Sequence, residues 1–136
     1  MRDEIQADIP RSKRTLIIGN GDISSLVEAR DISKEYGCDG VMVGRGIFGK
    51  PWFFTAHDKK PEERLTILVE HASLFEKFYG GKKRIKNFAV MKKHFKAYVS
   101  GWDGAKELRT KLMESRDLRE VKNIVKDYLS SSALSV

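Results

Sequence analysis

Cysteine is nearly missing from this chain. Cys38 is the only one in 136 residues, which excludes an internal disulfide and any zinc site built on paired thiolates, and points to a reducing cytoplasm. No apolar run approaches the ~20 residues that a membrane-spanning helix needs. The start, Met1-Arg2-Asp3-Glu4, lacks the basic-then-apolar order of a signal peptide. His57 and His71 have no Cys, Asp or second His at ligand spacing, so no metal site is expected. Acid is missing too, but only locally. Between Lys77 and Trp102 there is no Asp or Glu.

That local gap organises the charge. The chain has 26 Lys+Arg against 19 Asp+Glu, a net charge of +7. Residues 1–60 hold 10 basic and 9 acidic side chains, so they carry little of the excess. The acid-free block holds eight basic residues: Lys77, Lys82, Lys83, Arg84, Lys86, Lys92, Lys93 and Lys96. A charge run is commonly just a solvated helix face. Unmixed sign in one block is instead the footprint of a polyanion partner. With 40% hydrophobic and 10% aromatic residues, the chain has the material for a core.

The first half reads as β-α-β. Thr15-Leu16-Ile17-Ile18-Gly19 and Gly40-Val41-Met42-Val43-Gly44 are short apolar runs without alternation, the pattern of parallel strands buried on both faces. Between them, Ser25 and Glu28 form a capping box, and the helix they start runs to about Tyr36 before Gly37. Residues before Pro10 read as the tail of a preceding helix, and Arg11 to Arg14 as a basic connector. After Pro51 the period becomes helical. Leu65, Leu68, Val69, Ala72, Phe75 and Tyr79 mark one helix, ended by Gly80-Gly81. A second is expected from about Arg84 to Val99, a third through Ala105, Leu108 and Leu112, and a fourth through Leu118, Val121, Ile124, Val125 and Tyr128. Phe75, Phe78, Tyr79, Phe88, Phe95 and Trp102 read as bundle core in preference to base-stacking platforms. Trp52 and Phe53 are expected to cover an end of the first half or a domain junction, Cys38 to be a small buried thiol, and Ser130-Ser131-Ser132 to fray. The expected fold is therefore an α/β fragment, residues 1–55, followed by an all-α four-helix domain, residues 61–129. Two parallel strands and one helix leave edges and apolar faces uncovered, so the first half reads as a piece of something larger.

Each expected strand runs into a glycine turn: Gly19-Asn20-Gly21-Asp22 after the first, Gly44-Arg45-Gly46 after the second. Such turns let backbone N–H groups converge on an anion, a following helix N-terminus adds its dipole, and Arg45 offers a planar charged fork for phosphate. Two such turns on adjacent strands form the phosphate grip of a (β/α)8 barrel, from strands seven and eight. An Asn-Gly hairpin is the competing reading. It fails because a helix cap, not a partner strand, follows.

These motifs in this order, followed by Gly49-Lys50-Pro51-Trp52, resemble the end of the barrel in tRNA-dihydrouridine synthases. Met91-Lys92-Lys93-His94-Phe95-Lys96-Ala97-Tyr98, then Gly101, Ala105 and Leu108-Arg109, resemble that family's helical tRNA-binding domain, with Lys92 where the family commonly has Arg. The resemblance runs from about Thr15 to Leu129. It implies the last βαβ unit of a TIM-type barrel, with Asn20, Gly21, Asp22, Gly44 and Arg45 at the phosphate of FMN. On the expected helix over 84–99, Lys86, Lys93 and Lys96 lie together on one face with Lys92 on its flank. These with Arg109 are expected to face tRNA, while His94 is divided between phosphate contact and helix packing. The family is a flavin oxidoreductase that reduces uridine in tRNA with hydride from FMN, itself reduced by NADPH. Its general acid, a cysteine earlier in the barrel, has no counterpart here. Cys38 sits in the turn before the second strand, at the opposite end from the active site. The chain alone is thus expected to be inactive, and its incomplete barrel to self-associate. Two other readings remain open: a stand-alone basic helical RNA-binding module, and the tail of another phosphate-binding flavin barrel, such as a dihydroorotate dehydrogenase relative. The basic helical appendage argues against the latter.

Overall fold

A computed structural model describes residues 6–55, 57–80 and 85–133 of the chain. They divide into two compact units, residues 1–57 and 58–136.

In the first unit, β1 (Ile18–Asn20) and β2 (Gly40–Met42) pair in parallel, with Ile18 opposite Gly40 and Asn20 opposite Met42. The parallel pairing rules out the Asn20-Gly21 hairpin. Helix α1 (Leu26–Tyr36) makes the crossover. Ser25 Oγ accepts the Glu28 N–H at 3.1 Å. The Glu28 carboxylate closes the cap one residue earlier than expected, accepting the backbone N–H and hydroxyl of Ser24 at 2.8 and 2.6 Å. At the other end Gly37 adopts φ +61°, a left-handed cap that glycine takes without steric penalty. Cys38 then donates its N–H to Ser33 O at 3.1 Å. Asp39 binds Ile17 twice, through its backbone N–H and its carboxylate, which continues the strand pairing backward.

Three expectations for this unit need correction. The strands are three residues long and are not buried on both faces: Ile18 is 56% and Met42 53% exposed, and α1 has no buried residue. Within this unit one α-helix and one partner strand pack against them. Residues 6–9 form a turn, closed by Ile9 N–H to Gln6 O at 3.1 Å, where a helix tail was expected. Gln6 is buried there because its side-chain amide makes both bonds to the Thr15 backbone, each 2.9 Å, and Pro10 cannot continue a helical ladder. Residues 1–5 lie outside the described residues. Cys38 is half-buried, not fully enclosed. Trp52 and Phe53 are buried, whereas Phe54, edge-on to Phe53 at 5.3 Å, is exposed.

The second unit is helical: α2 (Pro61–Tyr79), α3 (Lys92–Tyr98), α4 (Ala105–Glu114) and α5 (Leu118–Ala133). Pro61 opens α2 at a position where its missing N–H is not needed. Glu63 accepts the Lys60 N–H at 3.0 Å and the Lys59 ammonium at 3.1 Å. Helix α2 packs on α5 and α3, and α4 packs on α3 and α5. Leu65, Leu68, Ala72 and Phe75 of α2 are buried, as are Leu108 and Leu112 of α4, Val121 and Val125 of α5, and Phe95 and Tyr98 of α3.

The helix expected over residues 84–99 is shorter. Arg84 lies outside the described residues, and Ile85 to Asn87 are not helical. Ile85 and Lys86 donate their N–H groups to Tyr79 O at 3.0 and 3.5 Å, tying the chain back to the end of α2. Asn87 then accepts the Ala89 N–H at 2.9 Å and starts a single 3-10 turn, Phe88–Met91, that leads into α3. An Asn side chain that bonds its own backbone starts a helix and does not sit inside one. Not every aromatic of the list is core, either. Phe78 is 63% exposed, Tyr79 37%, and Trp102 is half-buried. The serine tail is helical, since α5 continues through it and Ser130 and Ser131 return their hydroxyls to Lys126 O and Tyr128 O.

Candidate functional site

The two glycine turns lie side by side at the C-terminal ends of β1 and β2, because the register puts Asn20 opposite Met42. Arg45 and Asp22 meet in a side-chain ion pair, so each turn holds the other's charged group. Both side chains are largely exposed. Gly46 is required by contact: a Cβ there would fall 2.1 Å from the carbonyl oxygen of Ile23. The turn after β2 is therefore pressed directly against the backbone leaving the first turn. Gly21 and Gly44 differ, since a Cβ on either would meet nothing within 4 Å. Open backbone with a guanidinium alongside is a surface an anion can approach. The N-terminus of α1 does not add to it. Glu28 already occupies the cap, its carboxyl held below the usual range first by the Ser24 hydroxyl and then by the Ser24 N–H.

The basic residues separate into distinct places in the second unit. Burial of Met91, Phe95 and Tyr98 turns Lys93 and Lys96 to solvent, with Lys92 half-buried on the flank. Lys86 does not share that helix face. Its ammonium sits 4.7 Å above the Tyr79 ring, at the end of α2. Arg109 spans from α4 to the end of α3, donating to Val99 O at 3.3 Å. It lines a shallow groove of about 320 Å³ with Lys96, Thr110, Met113 and Glu114. Lys82, Lys83 and Arg84 lie outside the described residues.

Sequence reasoning missed a cluster between α2 and α3. His71 and His94 meet edge to face at 4.8 Å, and His71 Nδ1 hydrogen-bonds the Tyr98 hydroxyl at 3.2 Å. Burial pushes the His71 pKa down; His94 is lowered by burial first, then by His71 and Lys93. The two histidines lie 23 positions apart, so no helical spacing could have joined them. Among the described residues no group of three or more His, Cys, Asp or Glu could hold a metal, and no helix is long and apolar enough to cross a membrane.

A family model described as dihydrouridine synthase matches residues 3–133. The chain belongs to that family. Probable tRNA-dihydrouridine synthases of Staphylococcus aureus and Staphylococcus epidermidis are 37% and 36% identical to it over 133 residues. Probable tRNA-dihydrouridine synthase 2 of Bacillus subtilis is 32% identical over 130 residues. Each alignment covers 94% of this chain but only 37% or 38% of the relative, so the chain spans little more than a third of those synthases. The small parallel sheet followed by helices is consistent with part of a dihydrouridine synthase.

Proposed function

We propose that this chain is the C-terminal part of an FMN-dependent tRNA-dihydrouridine synthase, in which the second unit binds tRNA. One observation carries the reading: the aromatic face of α3 is buried and leaves Lys93 and Lys96 in solvent, within a stretch free of acid. A-form RNA offers phosphates and 2′-hydroxyls that such a surface follows by shape, without reading bases. Each neutralised phosphate releases counterion, so log affinity falls with log salt by about 0.7–0.9 per contact. The test is filter binding of tRNA at several salt concentrations. Replacing both lysines, Lys93→Ala with Lys96→Ala, is expected to flatten the slope by about 1.4–1.8. An unchanged slope removes α3 from the interface. The match of the relatives' names to a tRNA substrate supports an enzyme part over a stand-alone RNA-binding module.

In the same reading β1 and β2 are the last two strands of a TIM-type barrel, and their turns take the phosphate of FMN. The residues fit that group in part. Arg45 supplies the charged fork, and the open backbone at Asn20, Gly21 and Gly44 can approach an anion. Asp22 pairs its carboxylate with Arg45 and would orient that fork toward the phosphate. When bound, FMN supplies the hydride that reduces uridine, with NADPH as the family's reductant. This chain's residues do no more than hold one end of it. The purified chain is accordingly expected to be colourless and without synthase activity. A flavin absorbance band near one equivalent per chain would sink that expectation.

A further inference from the structure

The exposed aromatic edge at the end of α2 has no role in that reading. Phe78 stands 63% exposed beside Leu74, one turn earlier on the same helix and also exposed. The Lys77 ammonium lies 5.8 Å from the Phe78 ring centroid. Next to them Tyr79, backed by Phe75 at 5.3 Å, carries Lys86 over its ring. Ile85, tied to Tyr79 O, is exposed as well. The nearest acid in sequence, Glu76, is half-buried and lies against Gly80. Large apolar side chains exposed together at one helix end mark a contact surface.

We propose that Phe78 is a stacking platform for an unpaired base of an RNA, with the Lys77 ammonium beside the ring taking the flanking phosphate. The proposal rests on the tRNA-binding reading and names which part of an RNA this edge meets. Charge selects the occupant. A cation beside an exposed ring suits an occupant that presents a π-face and an anion together, and a nucleotide does both. Aromatic stacking accepts any base because every base has a π-face. Lys86, held over the Tyr79 ring, adds a second positive charge at the same end of the helix.

The test uses the whole chain with two probes, a twelve-nucleotide oligouridine and a twelve-base-pair RNA duplex, titrated at several salt concentrations. Phe78→Ala is expected to weaken oligouridine binding between about fivefold and a hundredfold, as for one lost stacked base. It leaves duplex affinity and both salt slopes unchanged, and Phe78→Trp restores binding. Circular dichroism serves as the folding control, and the ring's exposure predicts no change. Equal affinity of the Phe78→Ala variant for oligouridine overturns the platform while leaving duplex binding through α3 intact. Equal weakening of both probes also overturns it. Failure of the unmodified chain to bind either probe overturns both this proposal and the tRNA-binding reading. A Phe78-dependent shift in oligomeric state by light scattering would assign the patch to protein contact instead.

Discussion

Glycine separates into two kinds here, and single substitutions expose the difference. Gly46→Ala forces a methyl group into the Ile23 carbonyl, and backbone cannot swing aside as a side chain can. Overpacking of this kind costs about 1–3 kcal/mol, read as a lower denaturant midpoint for the first unit. Gly21→Ala meets nothing within 4 Å and is expected to leave that midpoint unchanged. Equal loss in both variants would refute the contact. The histidine pair makes a second prediction at this scale. Both His71 and His94 titrate below the ordinary 6.5 in the folded chain, burial being the main cause. A base whose folded pKa is depressed binds more protons when unfolded, so the stability it adds is present above 6.5 and lost as pH falls through the folded value. The Glu28, Glu63 and Glu120 carboxyls, held below 4.5, begin to lose theirs only in more acid solution. Denaturant midpoints of the second unit are therefore expected to fall as pH drops below 6.5, before the carboxyls titrate, and replacing both histidines by Gln flattens that fall. A midpoint independent of pH across that window refutes it.

At the scale of elements, polar ties join parts of the apolar frame, and Arg109 makes one from α4 to the end of α3 through Val99 O. Trp102 donates its indole N–H to the Tyr128 hydroxyl at 3.0 Å, joining the loop before α4 to α5. Tyr128→Phe leaves that half-buried donor without this acceptor and is expected to cost about 1 kcal/mol, measured by chemical denaturation. No loss would show that water replaces the hydroxyl freely. Helix existence was legible in the sequence wherever periodicity was long: the spacing through Leu65, Leu68, Ala72 and Phe75 is the buried stripe of α2. The start of α3 was not. Apolar residues at Ile85, Phe88, Met91 and Phe95 satisfy helical spacing on paper, but backbone bonds to Tyr79 and the Asn87 cap decide the local path. Spacing likewise could not separate Phe75 from Phe78, because which aromatic is enclosed depends on where the partner helices lie. The glycine turns were readable as sequence patterns, yet the ion pair joining Asp22 to Arg45 arises only once the strands are in register.

For the whole molecule the two units differ in how well they cover their apolar residues. Leu16, Ile18, Val27, Met42 and Phe48 of the first unit are all exposed, and a parallel pair with open edges invites further pairing. The purified chain is expected to associate through residues 1–55, giving a mass above the monomer by light scattering at high micromolar concentration. A monodisperse monomer counts against it. The second unit closes on itself, and the manner of closure sets a timetable. Its first helix packs on its last, α2 on α5, across the intervening α3 and α4. Loop-closure entropy must be met before that contact rewards it, and contacts distant in sequence slow the search. On the ribosome the apolar stripe of α2 thus waits, uncovered along one side, until α5 has emerged. That interval, rather than the finished bundle, is when this half of the chain most needs a chaperone.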